Sequence, residues 1–534
     1  MSPAESPRTL VVGLESASLG LIQKWMHEGS LPFLGSMLRT CPLVKLHTPI
    51  HVLQPCLWPS LLTGASPGRH GRYQIWSQIR TGSYDFPQPP TMLGSLRRYE
   101  EFLADRGIDS ALVDIPTDHP IPGHRGLHVV DWGTEFRFGK CEIEPRALAA
   151  RITREIGAYP IAAKRRTGDS QPEHLELARM LEEGVHARSE FTRWLLEQPN
   201  LRHVFIVFSE LHKGAHWLWK YMDRNHVDYE DSPPALRDAL RRIYEDVDRE
   251  LAAIAEQLGP RDNLVVLSEQ GMGPNYRGDH LVDQFLRALG LLARNGPSPP
   301  RGDVLPRDGT TRGPRAGSPS ALHRAVTAAK ARIPHALKGP LRALTNRSGI
   351  DWRRTRVFQL PTDRNTYLRV NLRGREPQGC VEPGAEYEAL LDRLETELRT
   401  LRDGATGKRV VVEIFRIRKL FAGDYAEGLP DLAVQWAADA PIDSLQSPTV
   451  GTLSYAVREL RSANHRPEGF LLARGPAFIA GPQRLAGDML QIPATLLRIH
   501  GVPQPAQFEQ EALPIFASQA SGIAPISITV AGMA

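Results

Sequence analysis

The sequence TLVVGLE, residues 9–15, is a short apolar run with β-branched residues that ends at a carboxylate, Glu15. A run of this kind is typical of a buried β-strand. Residues 19–29 follow with apolar side chains at helical spacing and stop at Gly-Ser. The chain therefore begins with a predicted strand-to-helix unit.

Two later runs repeat the pattern of a buried strand, HVFIVF at residues 203–208 and NLVVL at residues 263–267. Between them, residues 234–258 have the apolar periodicity of a long amphipathic helix. Strands that alternate with helices indicate an α/β fold with a mostly parallel sheet covered on both faces. We therefore predict a three-layer αβα architecture.

Acidic residues stand just past the three predicted strands, at Glu15, Glu210 and Glu269. In parallel sheets, functional residues gather outside the carboxyl ends of the strands. We therefore expect the functional site at this edge of the sheet.

The chain has 534 residues, more than the roughly 250–300 at which a single core stops growing. From about residue 295 to 320 it is rich in Pro, Gly, Arg and Ser, and a candidate basic helix follows at 321–344. After Asp351 the alternating pattern resumes. We predict three segments: 1–294, the first part of the core; 295–350, an inserted loop and helix; and 351–534, the remainder of the core.

Composition limits the classes of partner and compartment. The net charge of +5 is small for this length, and no dense basic run with interleaved aromatics predicts nucleic-acid binding. Four widely spaced cysteines without a C-x-x-C pair are typical of thiols in a reducing compartment. With neither a signal-peptide pattern nor a run of about 18 apolar residues, we expect a cytoplasmic protein without a membrane span. The sequence does not predict the oligomeric state.

Five segments resemble, in the same order, the type I phosphodiesterase/nucleotide pyrophosphatase family of the alkaline-phosphatase superfamily. The resemblance spans nearly the whole chain and implies an alkaline-phosphatase-like fold. Members of the family hold two metal ions, usually zinc, and use a Thr or Ser nucleophile against phosphorus. The five segments are VVGLES (11–16), LWPSLLTGASPGRHG (57–71), FSELHKGAHWLW (208–219), VVLSEQGMGPN (265–275) and NHRPEGFLLARGP (464–476).

The nucleophile position of the family, counted back from Thr63, is matched here by Gln54. An amide cannot form a phospho-enzyme ester. The nearby hydroxyls of Ser60 and Thr48 could replace the nucleophile only with a shifted backbone. The resemblance thus implies a reaction without a covalent phospho-enzyme, by metal-activated water or by group transfer.

The resemblance assigns the Asp-x-x-x-His element of the family to His212 and His216, and its last metal-binding histidine to His465. Three imidazoles with an open position suit a divalent transition metal, zinc first, with manganese or iron as alternatives. The site for the other metal is matched by Glu15, Gln54, Glu269 and Gln270.

Amides are poor ligands for zinc, so that other site is expected to bind a second metal weakly or not at all. Its carboxylates, Glu15 and Glu269, could instead ligate the first metal or act as general acid and base. Glu15, Gln54 and Glu269 are thus the candidate catalytic residues.

Polar residues near these motifs are candidates for binding a small anionic substrate. Glu210 could orient a ligating imidazole, although an ion pair is the simpler role, and Arg466, like Arg461, flanks His465 and could grip an anion. The candidate substrate-binding residues are Gln270, Asn275, His280, Arg466 and Glu210.

Three hypotheses follow for the function. The first is a metal-dependent enzyme acting on a phosphate- or sulfate-ester-like molecule. The second is a pseudoenzyme that keeps the fold as a binding or scaffolding module. The third, an ordinary two-metal phosphodiesterase, requires that Gln54 is not the nucleophile position.

Overall fold

The structure is a computed structural model that describes residues 7–75, 77–87, 93–133, 141–160, 169–295, 311–312, 349–362, 364–455, 458–459 and 461–517. Most of the predicted insertion, including its candidate basic helix at 321–344, lies outside the described residues.

Twenty β-strands are formed by the described residues. They are β1 Thr9–Leu14, β2 Leu43–Leu46, β3 Asp109–Val113, β4 Gly126–Val130, β5 Glu142–Glu144, β6 Leu201–Phe208, β7 Asn263–Ser268, β8 Gly271–Pro274, β9 Thr311–Arg312, β10 Val357–Leu360, β11 Thr366–Val370, β12 Arg402–Asp403, β13 Val411–Arg416, β14 Leu432–Trp436, β15 Ser444–Ser447, β16 Gly451–Ser454, β17 Arg458–Glu459, β18 Ala463–Arg466, β19 Gly469–Arg474 and β20 Arg484–Gly487.

The α-helices are α1 Leu19–His27, α2 Pro32–Thr40, α3 Leu57–Thr63, α4 Pro67–His70, α5 Tyr99–Ala104, α6 Ala149–Glu155, α7 Gln171–Glu197, α8 Glu210–Met222, α9 Pro234–Arg237, α10 Ala239–Ala255, α11 Val282–Ala288, α12 Ala385–Arg399, α13 Ile417–Leu420 and α14 Gln491–Ile499. Short 3₁₀ helices occupy Pro49–Cys56, Arg146–Leu148, Asp279–Leu281 and Ala426–Gly428.

A nine-stranded sheet in the order β20-β2-β19-β7-β1-β6-β3-β4-β5 forms the centre of the molecule. Strand β1 lies inside it and pairs in parallel with β6 and β7. Only β19 and β5 run antiparallel to their neighbours. The predicted mostly parallel sheet is confirmed, and the three predicted strands at its centre are adjacent.

Two apolar cores cover the faces of this sheet, because side chains along a strand alternate between faces. Leu10 and Val12 of β1 belong to the core shared with helices α1, α2, α7, α8 and α10. Val11 belongs to the opposite core, which includes residues of α3, α11, α12 and α14. The three-layer αβα architecture is therefore confirmed.

The segment after Asp351 has the indicated alternation of strand, helix and strand, as β11, α12 and β14. These strands do not extend the central sheet, however, because β10, β11, β14 and β13 form a separate four-stranded sheet in which all neighbours are antiparallel. Only residues 361–365 connect β10 to β11, and a parallel connection needs a dozen residues or more, so these two strands form a hairpin.

The long predicted helix at 234–258 has different ends in the structure. It is divided into α9 and α10 at Asp238, whose backbone is not helical. The last helix, α14, starts at Gln491, after residues 484–487 have paired with β2 as strand β20. Among the described helices, none is both long and apolar enough to cross a bilayer.

A buried ion network fixes the start of helix α8. The guanidinium of Arg188 on α7 donates from Nη1 to Asp114, 2.8 Å away, and from Nε to Glu210, 3.0 Å away. All three side chains are fully buried. Tyr159 also donates its hydroxyl to Glu210, at 2.6 Å.

We predict that Arg188→Met lowers the free energy of unfolding by about 3–5 kcal/mol, because it leaves two carboxylates buried without their cation. Urea unfolding followed by tryptophan fluorescence measures the change. The control is Arg179→Met on the same helix, whose exposed pairs with Glu176 and Glu183 should contribute little. Equal losses in the two variants would contradict the prediction.

Candidate functional site

The predicted site lies at the carboxyl edge of the central sheet. Glu15 directly follows β1, Glu269 directly follows β7, and helix α8 begins two residues after β6. His465 comes from β18, which pairs antiparallel with β8 so that His465 lies opposite Met272. Residues from distant parts of the chain therefore meet at one edge.

Three imidazoles form a cluster at this edge. His212 and His216 are one helical turn apart on α8 and share a face of the helix. One ring nitrogen from each of these two residues and from His465 lies within 4.8 Å of the others. The structure thus brings together all three histidines that the sequence analysis assigned to a metal.

The Nδ1 atom of each ring has a partner outside the cluster. A carbonyl or carboxylate oxygen only accepts hydrogen bonds, so such a partner fixes the proton on Nδ1. This arrangement is characteristic of metal-ligating histidines. The pairs are His212 with Glu15 Oε1 at 3.0 Å, His216 with the carbonyl of Ala463 at 2.7 Å, and His465 with Ser16 Oγ at 3.3 Å.

The hydrogen bonds of Ser16, the partner of His465, likewise place the proton of His465 on Nδ1. Ser16 Oγ donates its single proton to Glu269 Oε1, 3.1 Å away, and accepts from Nε2 of Gln270 at 3.2 Å. Its remaining lone pair can accept a proton only from Nδ1 of His465. All three rings therefore keep the Nε2 lone pair for a cation.

The Nε2 atoms of His212 and His216 are 2.9 Å apart. Two lone pairs at this distance repel unless a cation, either a proton or a metal ion, lies between them. Tetrahedral zinc with Zn–N bonds of about 2.05 Å separates its nitrogen ligands by about 3.3 Å. This pair of nitrogens could thus flank an ion after opening by a few tenths of an ångström.

Burial also keeps two of the three rings neutral. It holds the pKa of His216 and of His465 well below the usual histidine range, and neighbouring cationic groups lower both values further. A neutral imidazole is the form that binds metals. The electrostatics of the cluster therefore favour the ligating form.

Ser16 is a site residue that the sequence analysis missed. Its φ of 54° is left-handed, which is rare for a residue with a side chain and is often found at functional sites. This turn directs both its N–H, 3.2 Å from Oε2, and its hydroxyl toward Glu269. The sequence does contain one signal that could have identified Ser16, namely its position next to Glu15, just past the end of a predicted strand.

Glu269 is held by hydrogen bonds on both carboxylate oxygens. Gln270 donates from Nε2 to Oε1 at 3.1 Å, in addition to the two bonds from Ser16. Burial, and then the nearby charge of Glu15, raise the pKa of Glu269 to about 7. Ser16 and Gln270 thus give this carboxylate the partners that a second metal ion would otherwise supply.

Gln54 lies half-buried near the end of the 3₁₀ helix Pro49–Cys56. Within the described residues, its side chain has no hydrogen bond to the cluster. The alternative hydroxyls serve local structure, because Ser60 contacts Nε2 of His70 at 2.8 Å and Thr48 accepts from the N–H of Ile50 at 3.3 Å.

Two predicted substrate-binding residues, Asn275 and His280, line one pocket together with Arg461. Nε2 of His280 is buried and has no hydrogen-bond partner among the described residues. Asn275 also accepts from Asn464 at 3.0 Å, next to His465. The pocket therefore adjoins the strand that carries the third histidine.

Two other candidates point away from the cluster. Glu210 is two residues from His212, which places it on another face of α8, where it pairs with Arg188. Arg466 follows His465 on a strand and therefore points to the opposite face. Its guanidinium donates to the carbonyls of His465, Pro274 and Ala438.

We predict about one tightly bound zinc ion per chain by elemental mass spectrometry after reconstitution. His216→Ala and His465→Ala should each reduce this content to near zero, because two imidazoles hold zinc far more weakly than three. The control is His186→Ala, an exposed histidine on α7 that should leave the zinc content unchanged. Full zinc content in His216→Ala would overturn the assignment of the cluster.

Comparison with known proteins identifies the family of the chain. A family model described as "Type I phosphodiesterase / nucleotide pyrophosphatase" matches residues 9–332, which is more than half of the chain. No curated protein matches the chain in sequence.

Similar solved structures include murine ectonucleotide pyrophosphatase/phosphodiesterase 5, an inactive form in complex with AMP (11% identity, 94% of this chain and 96% of that chain, TM-score 0.45). The human protein of the same name has 11% identity, coverage of 96% and 97%, and a TM-score of 0.44. Phosphonoacetate hydrolase from Sinorhizobium meliloti, in complex with phosphonoformate, has 14% identity, coverage of 90% and 90%, and a TM-score of 0.41. By the family match, this chain belongs to the type I phosphodiesterase/nucleotide pyrophosphatase family.

Proposed function

We propose that this protein is a metal-dependent hydrolase of a small anionic ester, a phosphate ester or a related sulfate ester, with one ion bound by His212, His216 and His465. The observation that carries the proposal is the Nδ1 partner of every ring, which leaves three Nε2 lone pairs for an ion. Membership of a phosphodiesterase family supports the reaction class.

Zinc is the ion that we propose, with manganese or iron as alternatives, because three neutral imidazoles are borderline ligands. When bound, such an ion lowers the pKa of water and offsets the charge that develops on a phosphoryl group. Glu15 has a supporting role in this proposal, since its carboxylate contacts Nδ1 of His212 and so orients that ring.

Glu269 is the proposed general base. Its carboxylate is buried at the site and held by Ser16 and Gln270, and each oxygen keeps a lone pair that can accept a proton from an attacking water. Because the amide of Gln54 cannot form an ester, we propose direct hydrolysis, or transfer to another acceptor, without a phospho-enzyme.

The pocket of Asn275, His280 and Arg461 is the proposed place for the rest of the substrate. Its lining combines polar and apolar side chains, and Nε2 of His280, which has no hydrogen-bond partner among the described residues, offers one hydrogen bond to a ligand. The positive charge of Arg461 lowers the pKa of both His216 and His465, although burial lowers both values more. An anionic ester would thus extend from the histidines into this pocket.

We keep the cytoplasm as the proposed compartment. All four cysteines, Cys41, Cys56, Cys141 and Cys380, are unpaired in the structure. Unpaired thiols are typical of proteins in reducing compartments.

We predict that Glu269→Gln lowers kcat by about 10²–10⁴-fold on whichever ester is turned over, because the base is lost while the ion is retained. The zinc-loaded protein is screened against phosphate monoesters, phosphodiesters and sulfate esters, with zinc content measured for each variant. The control is Glu190→Gln, an exposed carboxylate on α7 that should leave kcat unchanged.

Intact-mass measurement after an acid quench should show no phosphorylated chain during turnover. A phosphorylated residue would contradict direct hydrolysis. Absence of turnover on every class of ester, with zinc bound, would instead favour the binding module of the second hypothesis.

A further inference from the structure

Ser462 is a buried residue between the histidine cluster and the pocket of Asn275 and His280. It directly precedes β18, the strand that carries His465, and it is only 4% exposed. The sequence analysis did not select it, and the proposed function gives it no role. Its hydrogen bonds, however, join helix α8 to the wall of the pocket.

Two donors of Ser462 hold the main chain of His216. The N–H of Ser462 donates to the carbonyl oxygen of His216 at 2.6 Å, and its hydroxyl donates to the same oxygen at 3.2 Å. The N–H of Lys220 donates in turn to that hydroxyl, 3.3 Å away. In an α-helix, a carbonyl and the N–H four residues later belong to one turn. The hydroxyl thus bridges the turn of α8 that begins at His216.

The ring of His216 is held by the next residue of the same segment. Its Nδ1 donates to the carbonyl of Ala463 at 2.7 Å. Residues 462 and 463 therefore fix both the main chain and the ring of His216. Two residues further along, His465 provides another imidazole of the cluster. A shift of this segment against α8 would therefore change the distance between two of the three rings.

The carbonyl of Ser462 is held from the side of the pocket. It accepts from Nε2 of His226 at 2.8 Å and from the N–H of Asn275 at 3.0 Å. Both of these residues line the pocket. A carbonyl oxygen has two lone pairs, so these two donors satisfy it. Ser462 thus uses its main-chain and side-chain polar groups to join the pocket wall to His216.

We propose that Ser462 is a positioning residue, which holds His216 in place for ligation and ties it to the pocket wall. The inference rests on the proposed function, because it requires an ion bound by the three histidines. Distances from a metal ion to its ligands vary by only about 0.2 Å. Removal of the hydroxyl takes one acceptor from the N–H of Lys220 and one donor from the carbonyl of His216. We expect this turn of α8 then to move by more than the ion tolerates.

Zinc affinity, measured by competition with a chelating indicator, tests the proposal. Ser462→Ala should weaken zinc binding by roughly 10–100-fold, the usual effect of losing a group that orients a ligand. Ser462→Thr keeps the hydroxyl and should restore most of the affinity. The cobalt-substituted protein gives a second readout, because its visible absorption bands depend on ligand geometry. These bands should change in Ser462→Ala and not in Ser462→Thr.

The control is Thr495→Val, which removes a hydroxyl with the same kind of contacts from helix α14. Thr495 is fully buried, donates to the carbonyl of Gln491 at 2.7 Å and accepts from the N–H of Leu513 at 2.9 Å. Helix α14 packs in the core on the opposite face of the central sheet from α8. Thr495→Val should lower the urea midpoint as Ser462→Ala does, but leave zinc affinity and the cobalt spectrum unchanged.

Wild-type zinc affinity and an unchanged cobalt spectrum in Ser462→Ala would overturn the role of Ser462 and leave the proposed function standing. An equal loss of affinity in Thr495→Val would also overturn it, because the effect would then follow general stability. A wild-type protein that binds no zinc would overturn the proposed function and this inference together. If Ser462→Ala lacks the wild-type circular dichroism spectrum, His226→Phe decides, since it removes a donor to the carbonyl of Ser462. Weaker zinc binding there supports the role, and equal binding refutes it.

Discussion

The polar contacts at Nδ1 of His212, His216 and His465 are the interactions on which the site depends: one with the carboxylate of Glu15, one with the carbonyl of Ala463 and one with the hydroxyl of Ser16. Each removes one ring nitrogen from competition and fixes the other as a lone-pair donor. Glu15 and Ser16 follow the end of β1, and Ala463 lies on β18. Helix α8, which carries His212 and His216, follows β6. The rings therefore reach these partners only when β1 and β6 pair in their parallel register and place α8 between the two groups of partners. The chemistry of the site is thus a consequence of the sheet.

At the same edge, internal hydrogen bonds hold a buried carboxylate. Glu269 accepts hydrogen bonds from Ser16 and Gln270. The left-handed backbone at Ser16 makes this possible, because it turns the hydroxyl back toward the sheet edge. A carboxylate held in this way remains available for proton transfer, which suits a site with one ion and no nucleophilic hydroxyl.

Apolar runs in the sequence predicted the centre of the sheet, because strands buried on both faces are nearly continuous in apolar residues. The three histidines were found through motifs in family order. Ser16 was missed, because its contact with Glu269 depends on a left-handed backbone conformation that periodicity does not reveal. Glu210 and Arg466 were assigned to the site because they are close to His212 and His465 along the chain. Two residues apart on a helix, Glu210 and His212 lie on different faces, and Arg466, next to His465 on a strand, points to the opposite face of the sheet.

The central claim is that three imidazoles bind a single ion. X-ray absorption at the zinc edge of the reconstituted protein tests it most directly, because it counts ligands and detects a neighbouring metal. Our account predicts three imidazole nitrogens at about 2.0–2.1 Å and no metal–metal signal. A second metal at about 3.5–4 Å, or a first shell without imidazoles, would contradict it.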